Sequence, residues 1–226
     1  MGNAMTAVTM DMEQARFNMI EQQIRPWEVL DPEVLAVLDA VKREHFVPEA
    51  HQMLAFADIE MPIGNGQTML QPKIEARILQ ELAVKNTDIV LEVGTGSGHM
   101  AALLATKAEY VYSVEIDPLL AETARRNLQQ AGVANVSVET GDASEGWSAH
   151  GPYDVIVISG SLSELPEAFL QQLKIGGRLT AFIGEPPAMQ ARLTTHSDEN
   201  AFNTINLFET VVAPLRTAKP RQRFVF

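Results

Sequence analysis

Residues 88–117 read DIVLEVGTGSGHMAALLATKAEYVYSVEID, and the rest of the chain is organised around them. Ile89, Val90, Leu91 and Val93 form an apolar run of buried-strand length that stops at Gly94-Thr95-Gly96-Ser97-Gly98. Residues 100–105 then predict a helix, and residues 110–116 a second strand with Glu115 and Asp117 at its end. A strand, a tight turn, a helix and a second strand make a β-turn-α-β unit. Gly94 and Gly96 suit a backbone that turns sharply and comes close to a ligand, and Gly98 suits close packing of the helix. Glu115 follows Gly94 at the distance where an acid at a strand tip can hold a ribose diol.

The glycine spacing separates two cofactor classes. A dinucleotide fingerprint G-x-G-x-x-G needs glycine at position 99, where this chain has His99. The pattern present is G-x-G-x-G preceded by Glu92, the form carried by methyltransferases that use S-adenosylmethionine. The expectation is a nucleotide-type cofactor that is not NAD.

Composition narrows the class further. The chain has 226 residues, 46% of them hydrophobic, enough for one large domain with a full core. A formal net charge of -12 argues against a nucleic-acid partner, since phosphate neutralisation needs an excess of Lys and Arg. Only the tail, with Arg216, Lys219, Arg221 and Arg223, is basic. The chain has no cysteine, which excludes disulfides, thiolate nucleophiles and cysteine-ligated zinc, and its five histidines show no metal-ligand spacing, so no metal is expected. No run approaches the roughly 18 apolar residues of a membrane span. With no secretory signal pattern either, a cytoplasmic protein without a membrane partner is expected.

Before Asp88 the pattern is helical. Residues 13–24 place Phe17, Ile20 and Ile24 on one face, Asp31-Pro32 is a helix start, and Val34, Leu38 and Val41 continue that helix. Pro62, Gly64 and Gly66 interrupt regular structure in a loop that leads to a third helix at Pro72, with Ile74, Ile78 and Leu82 inward. After the second strand, Asp117-Pro118 caps a helix carrying Leu120, Ala124 and Leu128 to Gly132. Strands follow at 136–140, 153–158 and 178–183, with a helix over 163–173. Beyond Pro186-Pro187, strand-like runs at 191–195, 205–212 and 223–226 lack intervening helices and predict antiparallel pairing at one sheet edge. The fold class is α/β: a doubly wound, mostly parallel sheet with antiparallel C-terminal edge strands and an N-terminal helical elaboration. The expected division is a disordered leader over 1–12, a capping segment over 13–87 and a Rossmann-like cofactor domain over 88–226.

An ordered series of short matches then resembles the protein-L-isoaspartate O-methyltransferase family over nearly the whole chain. They include Met19 to Ile24, Asp31 to Leu35, His45-Phe46-Val47-Pro48, Leu54 to Asp58, Pro62 to Thr68, Leu91 to Gly98, Tyr112 to Glu115, Gly141-Asp142, Gly146-Trp147, Pro152-Tyr153-Asp154 and Gly176-Gly177-Arg178. The resemblance implies a Rossmann-like class I methyltransferase that moves a methyl group from S-adenosylmethionine to isoaspartyl carboxylates in damaged proteins. It implies cofactor contacts from Glu92, Gly94, Thr95, Gly96, Ser97 and Gly98. Glu115 would hold the ribose hydroxyls, and Asp142, beside Ala143, the adenine amino group. Gln67 and Thr68 would lie beside the methyl group and its acceptor. Taken alone, Asp142 reads equally as a turn residue after Gly141, and Gln67-Thr68 as the loop that caps the helix at Pro72.

The chain departs from the family where the acceptor would bind. The family's usual Thr-Ile-Ser is Thr68-Met69-Leu70 here, and its Gly-Asp-Gly is Gly141-Asp142-Ala143. Leu70 removes a hydroxyl from the position of the family's serine. Three readings follow: an isoaspartyl methyltransferase acting on peptide or protein carboxylates, a divergent methyltransferase with another acceptor, and a catalytically silent S-adenosylmethionine-binding protein.

Overall fold

The computed structural model describes residues 12–218. Helix α1 (12–19) runs into a wider π-helical turn over Ile20–Ile24, with Ile20 and Ile24 buried as expected. Phe17 is the exception: it stands 57% exposed, and Arg16 takes the inner position because the Glu44 carboxylate meets its charge there. Helix α2 (Pro32–Ala40) starts at the predicted cap, where the Asp31 side chain accepts from Glu33 N at 2.8 Å and Pro32 needs no donor.

The loop expected around Pro62 to Gly66 is in fact a β-hairpin. Strand β1 (Met61–Gly64) pairs antiparallel with β2 (Gln67–Met69). Two of the residues read as breakers, Gly64 and Gly66, build its turn with Asn65 between them: all three have positive φ, at 102°, 51° and 71°, while Pro62 lies within β1. Helix α3 (Pro72–Leu82) follows with Ile74, Ile78 and Leu82 inward. Leu82 is fully buried, so its truncation to alanine would cost about 2–5 kcal/mol.

The main sheet then forms from β3 (Ile89–Val93), helix α4 (His99–Ala105), β4 (Tyr110–Glu115), helix α5 (Pro118–Gln130), β5 (Val136–Thr140), β6 (Tyr153–Leu162), helix α6 (Glu167–Gln171), β7 (Leu173–Glu185), β8 (Ala188–Asp198) and β9 (Ala201–Glu209). Its order is β5-β4-β3-β6-β7-β8-β9. The first five are parallel, and β8 and β9 add antiparallel at the edge. Alternation along the strands separates two faces. Val90, Val111, Val155, Val157 and Phe182 share one core with α1 to α4 and Leu128 of α5. Leu91, Val93, Ile156, Ile158, Leu179 and Ala181 pack on the other side with Phe169 of α6. Every residue of α4 is buried; after His99, whose ring meets Glu75, the helix is apolar all round because no face of it needs to meet water.

Two further boundaries differ from expectation. The helix predicted over 163–173 shortens to α6, because β6 extends to Leu162 and β7 already begins at Leu173. Backbone bonds from Ser161 N to Ala213 O (2.9 Å) and Leu215 N to Ser161 O (3.0 Å) explain the longer β6. The run expected over 205–212 spans Ala201–Glu209 instead. The leader's residues 1–11 and the strand at 223–226 lie outside the described residues, and Met12 already belongs to α1. No described helix is long and apolar enough to cross a membrane.

Candidate functional site

The carboxyl ends of β3, β4 and β6 open into a cleft of about 690 Å³, part of it open to solvent. Its floor is the turn after β3. Gly94 (φ 91°) and Gly96 (φ 54°) adopt a backbone that side chains resist, and both line the cleft. Gly98 (φ 87°) does not line it. A Cβ there would stand 3.3 Å from Leu128 and 3.4 Å from Ala124, so this glycine lets α4 pack on α5. Thr95 and Ser97 are buried beneath the turn. The Thr95 hydroxyl lies 2.5 Å from that of Ser113, and the Ser97 carbonyl accepts from Asn127 at 2.9 Å.

Glu115 sits at the tip of β4 with its carboxylate fixed: Oε2 accepts from Gly96 N at 2.8 Å and Oε1 from Asp117 N at 3.0 Å. Each oxygen has a second lone pair, which leaves acceptor capacity toward the cleft. Asp142 and Ala143 line the same cleft after β5. Asp142 Oδ1 accepts from Ser144 N (2.9 Å) and from the Thr217 hydroxyl (2.8 Å), so this residue shapes a turn at the edge of the cleft. The Ser144 amide is the main cause that holds its carboxyl below the usual range.

The opposite wall comes from the hairpin. Gln67, Thr68 and Leu70 line the cleft together with Ile63, so the sequence-predicted residues of both walls face one space. The Thr68 hydroxyl donates to Glu60 at 3.3 Å. A narrow side chamber runs inward from Thr68 and Leu70, past Gly94, Thr95, Gly96 and Ser97, to Glu75, Glu92 and Met100. Glu92 accepts from Ser113 (2.6 Å) and Ser159 (3.4 Å). Its complete burial, abetted by the nearby Glu75 charge and opposed by the Ser113 bond, pushes its carboxyl up to about 8.

Sequence reasoning missed a strap that crosses the cleft. Residues 212–217 line it, and Leu215 lies over the loop, 3.4 Å from where a Cβ on Gly94 would be. Arg216, the described member of the basic tail, pairs with Asp117 at 2.9 Å and donates to Asn65 O at 2.9 Å. Asn65 donates in turn to Asp117 at 3.0 Å, so hairpin, β4 end and strap share one clasp. Apart from its basic charge, nothing in the local pattern around Arg216 marks it, because its partners lie far away in sequence. No cluster of His, Asp and Glu suited to a metal ion occurs among the described residues.

A mostly parallel sheet with a glycine turn after its central strand, an acid at the next strand tip and one cleft shared by two walls defines a Rossmann-like class I methyltransferase. Comparison with known proteins agrees. The sequence profile described as "Protein-L-isoaspartate(D-aspartate) O-methyltransferase (PCMT)" matches residues 14–218. The protein-L-isoaspartate O-methyltransferase of Methanoculleus marisnigri is 41% identical over 200 residues, 88% of this chain and 90% of that one. A solved protein-L-isoaspartate O-methyltransferase superposes with a TM-score of 0.75 at 25% identity, over 90% of this chain and 65% of its own, so this chain spans about two thirds of its length. A Plasmodium falciparum chain solved in complex with S-adenosyl-L-homocysteine shares the fold, with a TM-score of 0.75 at 21% identity over 90% of this chain and 97% of that one. The chain belongs to the protein-L-isoaspartate(D-aspartate) O-methyltransferase family.

Proposed function

We propose that this protein transfers the methyl group of S-adenosylmethionine to the free carboxylate of isoaspartyl residues in peptides and damaged proteins. One observation carries the reading beyond family membership: the glycine turn and the Gln67–Leu70 wall open onto a single cleft, where a cofactor and an acceptor can meet.

The residues present suit the cofactor. Glycines 94 and 96 leave the floor free of side chains, and Glu115 has lone pairs for a ribose diol. The side chamber ends at two acids, Glu75 and Glu92, which matches a cationic methionine part. Asp142 and Ala143 would flank the adenine. When bound, S-adenosylmethionine supplies an activated methyl group on a sulfonium. Residues 13–87 would act as a cap that brings the acceptor wall over the domain formed by residues 88–218.

The acceptor needs no general base, since an aspartyl-type carboxyl with a pKa of about 3.9 is already ionised at neutral pH. The work of Gln67, Thr68 and Leu70 is therefore placement, and aligning two reactants can supply most of the acceleration. Leu70 gives the carboxylate an apolar neighbour in place of a hydroxyl, which weakens acceptor binding without removing the chemistry.

The test is labelled methyl transfer to a panel of isoaspartyl peptides beside their aspartyl counterparts. Labelling of the isoaspartyl peptides alone is expected. Labelling of neither, by protein that binds S-adenosylhomocysteine, would reject the reading.

A further inference from the structure

Arg43 stands in the short 3-10 turn Arg43–His45 after α2, 2% exposed and outside the lining of the cleft. Its guanidinium spreads donors over three elements. Nε donates to Ala55 O at 2.9 Å, Nη2 donates to Leu70 O at 2.6 Å, and Nη1 pairs with Glu75 of α3. Glu75 also faces His99 Nδ1 at 2.9 Å, and His99 is the first residue of α4, directly after the glycine turn. Burial works against the Glu75 charge, but Arg43 and His99 outweigh it and hold the carboxyl below its usual range. The chain of contacts therefore runs from the backbone of Leu70, through two buried charges, to the helix that follows the cofactor loop.

A second buried pair shows what is particular to the first. Arg16 is also 2% exposed and pairs with buried Glu44, yet its Nε has no hydrogen-bond partner among the described residues. That pair ties α1 to the turn that carries Arg43, and neither Arg16 nor Glu44 lines the cleft. A buried carboxylate can be satisfied by any cation, whereas two carbonyls and a carboxylate approached from one plane require the arginine fork.

We propose that Arg43 is the positioning residue of the acceptor wall. By holding the Leu70 carbonyl against Glu75 and His99, it sets the distance between the Thr68–Leu70 segment and the glycine turn. The inference rests on reading that segment as the acceptor side. Lysine at position 43 keeps a charge for Glu75 but cannot also reach both carbonyls, so the segment is released while the cofactor floor stays in place.

The experiment compares Arg43→Lys and Arg43→Met with Arg16→Met, a control of equal burial. For each, the Tm, the Kd for S-adenosylhomocysteine, kcat and KM on an isoaspartyl peptide, and amide hydrogen exchange over residues 67–70 are measured. Arg43→Lys is expected to hold the Kd within about twofold while kcat/KM falls about tenfold or more. Exchange over 67–70 should quicken. Arg16→Met should lower the Tm yet leave kcat/KM per folded molecule and exchange over 67–70 as in the wild type. Should Arg43→Met fail to fold, Arg43→Lys decides. Equal kcat/KM in Arg43→Lys and Arg16→Met, or unchanged exchange over 67–70 in Arg43→Lys, would overturn the proposal. A wild type that leaves isoaspartyl peptides unlabelled would reject the function reading alone, and the exchange arm would still decide the role of Arg43.

Discussion

The floor of the cleft is made by neighbours, and its opposite wall by strangers. One turn of five consecutive residues, Gly94 to Gly98, carries the floor through Gly94 and Gly96, and its acid, Glu115, reaches back 19 positions to Gly96 N. The hairpin wall depends on Arg43, 27 positions from Leu70, and on Arg216, 151 positions from Asn65. A floor built from local contacts tolerates change elsewhere in the chain. A wall tied by distant contacts can shift without disturbing cofactor binding. The two sides should therefore respond to different substitutions.

The largest expected effect is on the floor. Gly96→Val places a branched side chain at a φ of 54°, with its Cβ 3.1 Å from Ile63. Strain of about 1–3 kcal/mol should raise the Kd for S-adenosylhomocysteine on the order of tenfold to a hundredfold. The thermal shift with that ligand should shrink accordingly, while NAD shifts neither protein. An unchanged Kd would mean that the floor is not the cofactor site.

On the wall, Leu70→Ser returns a hydroxyl facing the cleft. A hydrogen bond to a charged group contributes about 1.5–3 kcal/mol, so kcat/KM on an isoaspartyl peptide should rise about tenfold or more. The Kd for S-adenosylhomocysteine should stay as it was. A fall in kcat/KM would show that the wall prefers its apolar side chain.

Glu92 sharpens the comparison through pH. Its carboxyl titrates near 8 in the folded protein, so at neutral pH it is mostly protonated. In the unfolded chain it ionises at the ordinary value of 4.5, so its contribution to stability declines as pH rises from there toward 8. A cationic ligand favours the ionised form, so binding at pH 7 should release protons, detectable by calorimetry in buffers of different ionisation enthalpy. S-Adenosylmethionine affinity should rise with pH, by up to about tenfold per unit below 8, and Glu92→Gln should flatten the profile. The same slope in both proteins would place Glu92 outside the cofactor's charge.

The smallest effect belongs to the strap. Thr217→Val removes one exposed hydrogen bond to Asp142, and the Kd for S-adenosylhomocysteine should weaken about twofold to threefold. A change tenfold larger would make the strap part of the floor.

The same division governs what could be read from the sequence. Strands β3 and β4, the glycine turn, Glu115 and the Asp31 and Asp117 caps were legible because each depends on residues a few positions apart or on a repeating apolar pattern. Gly64 and Gly66 signalled a break and formed, with Asn65, a hairpin turn, since residues that tolerate positive φ serve both purposes. Phe17 was misplaced because hydrophobicity alone ranks it above Arg16, and only the distant Glu44 makes the arginine the buried one. Arg43 carried no local signal, and Arg216 only its place in a basic tail, because the partners of both lie far away in sequence. Of the expected site residues, Gly98 does not line the cleft and lets α4 pack on α5, while Thr95 and Ser97, buried beneath the turn, line the side chamber.

The strap lies so close to β6 that it limits how the chain can vary. A Cβ on Gly160 would come 2.6 Å from the Leu215 side chain and 3.1 Å from its backbone nitrogen. No side chain fits at 160 while Leu215 stays in place, and trimming Leu215 alone relieves only part of the conflict. Over evolutionary time the two positions are bound to one another: a lineage that acquires a larger residue at 160 must also move the Leu215 side chain and ease its backbone away. Among relatives, loss of this glycine should therefore go with a smaller residue at 215 or a strap that stands further from β6.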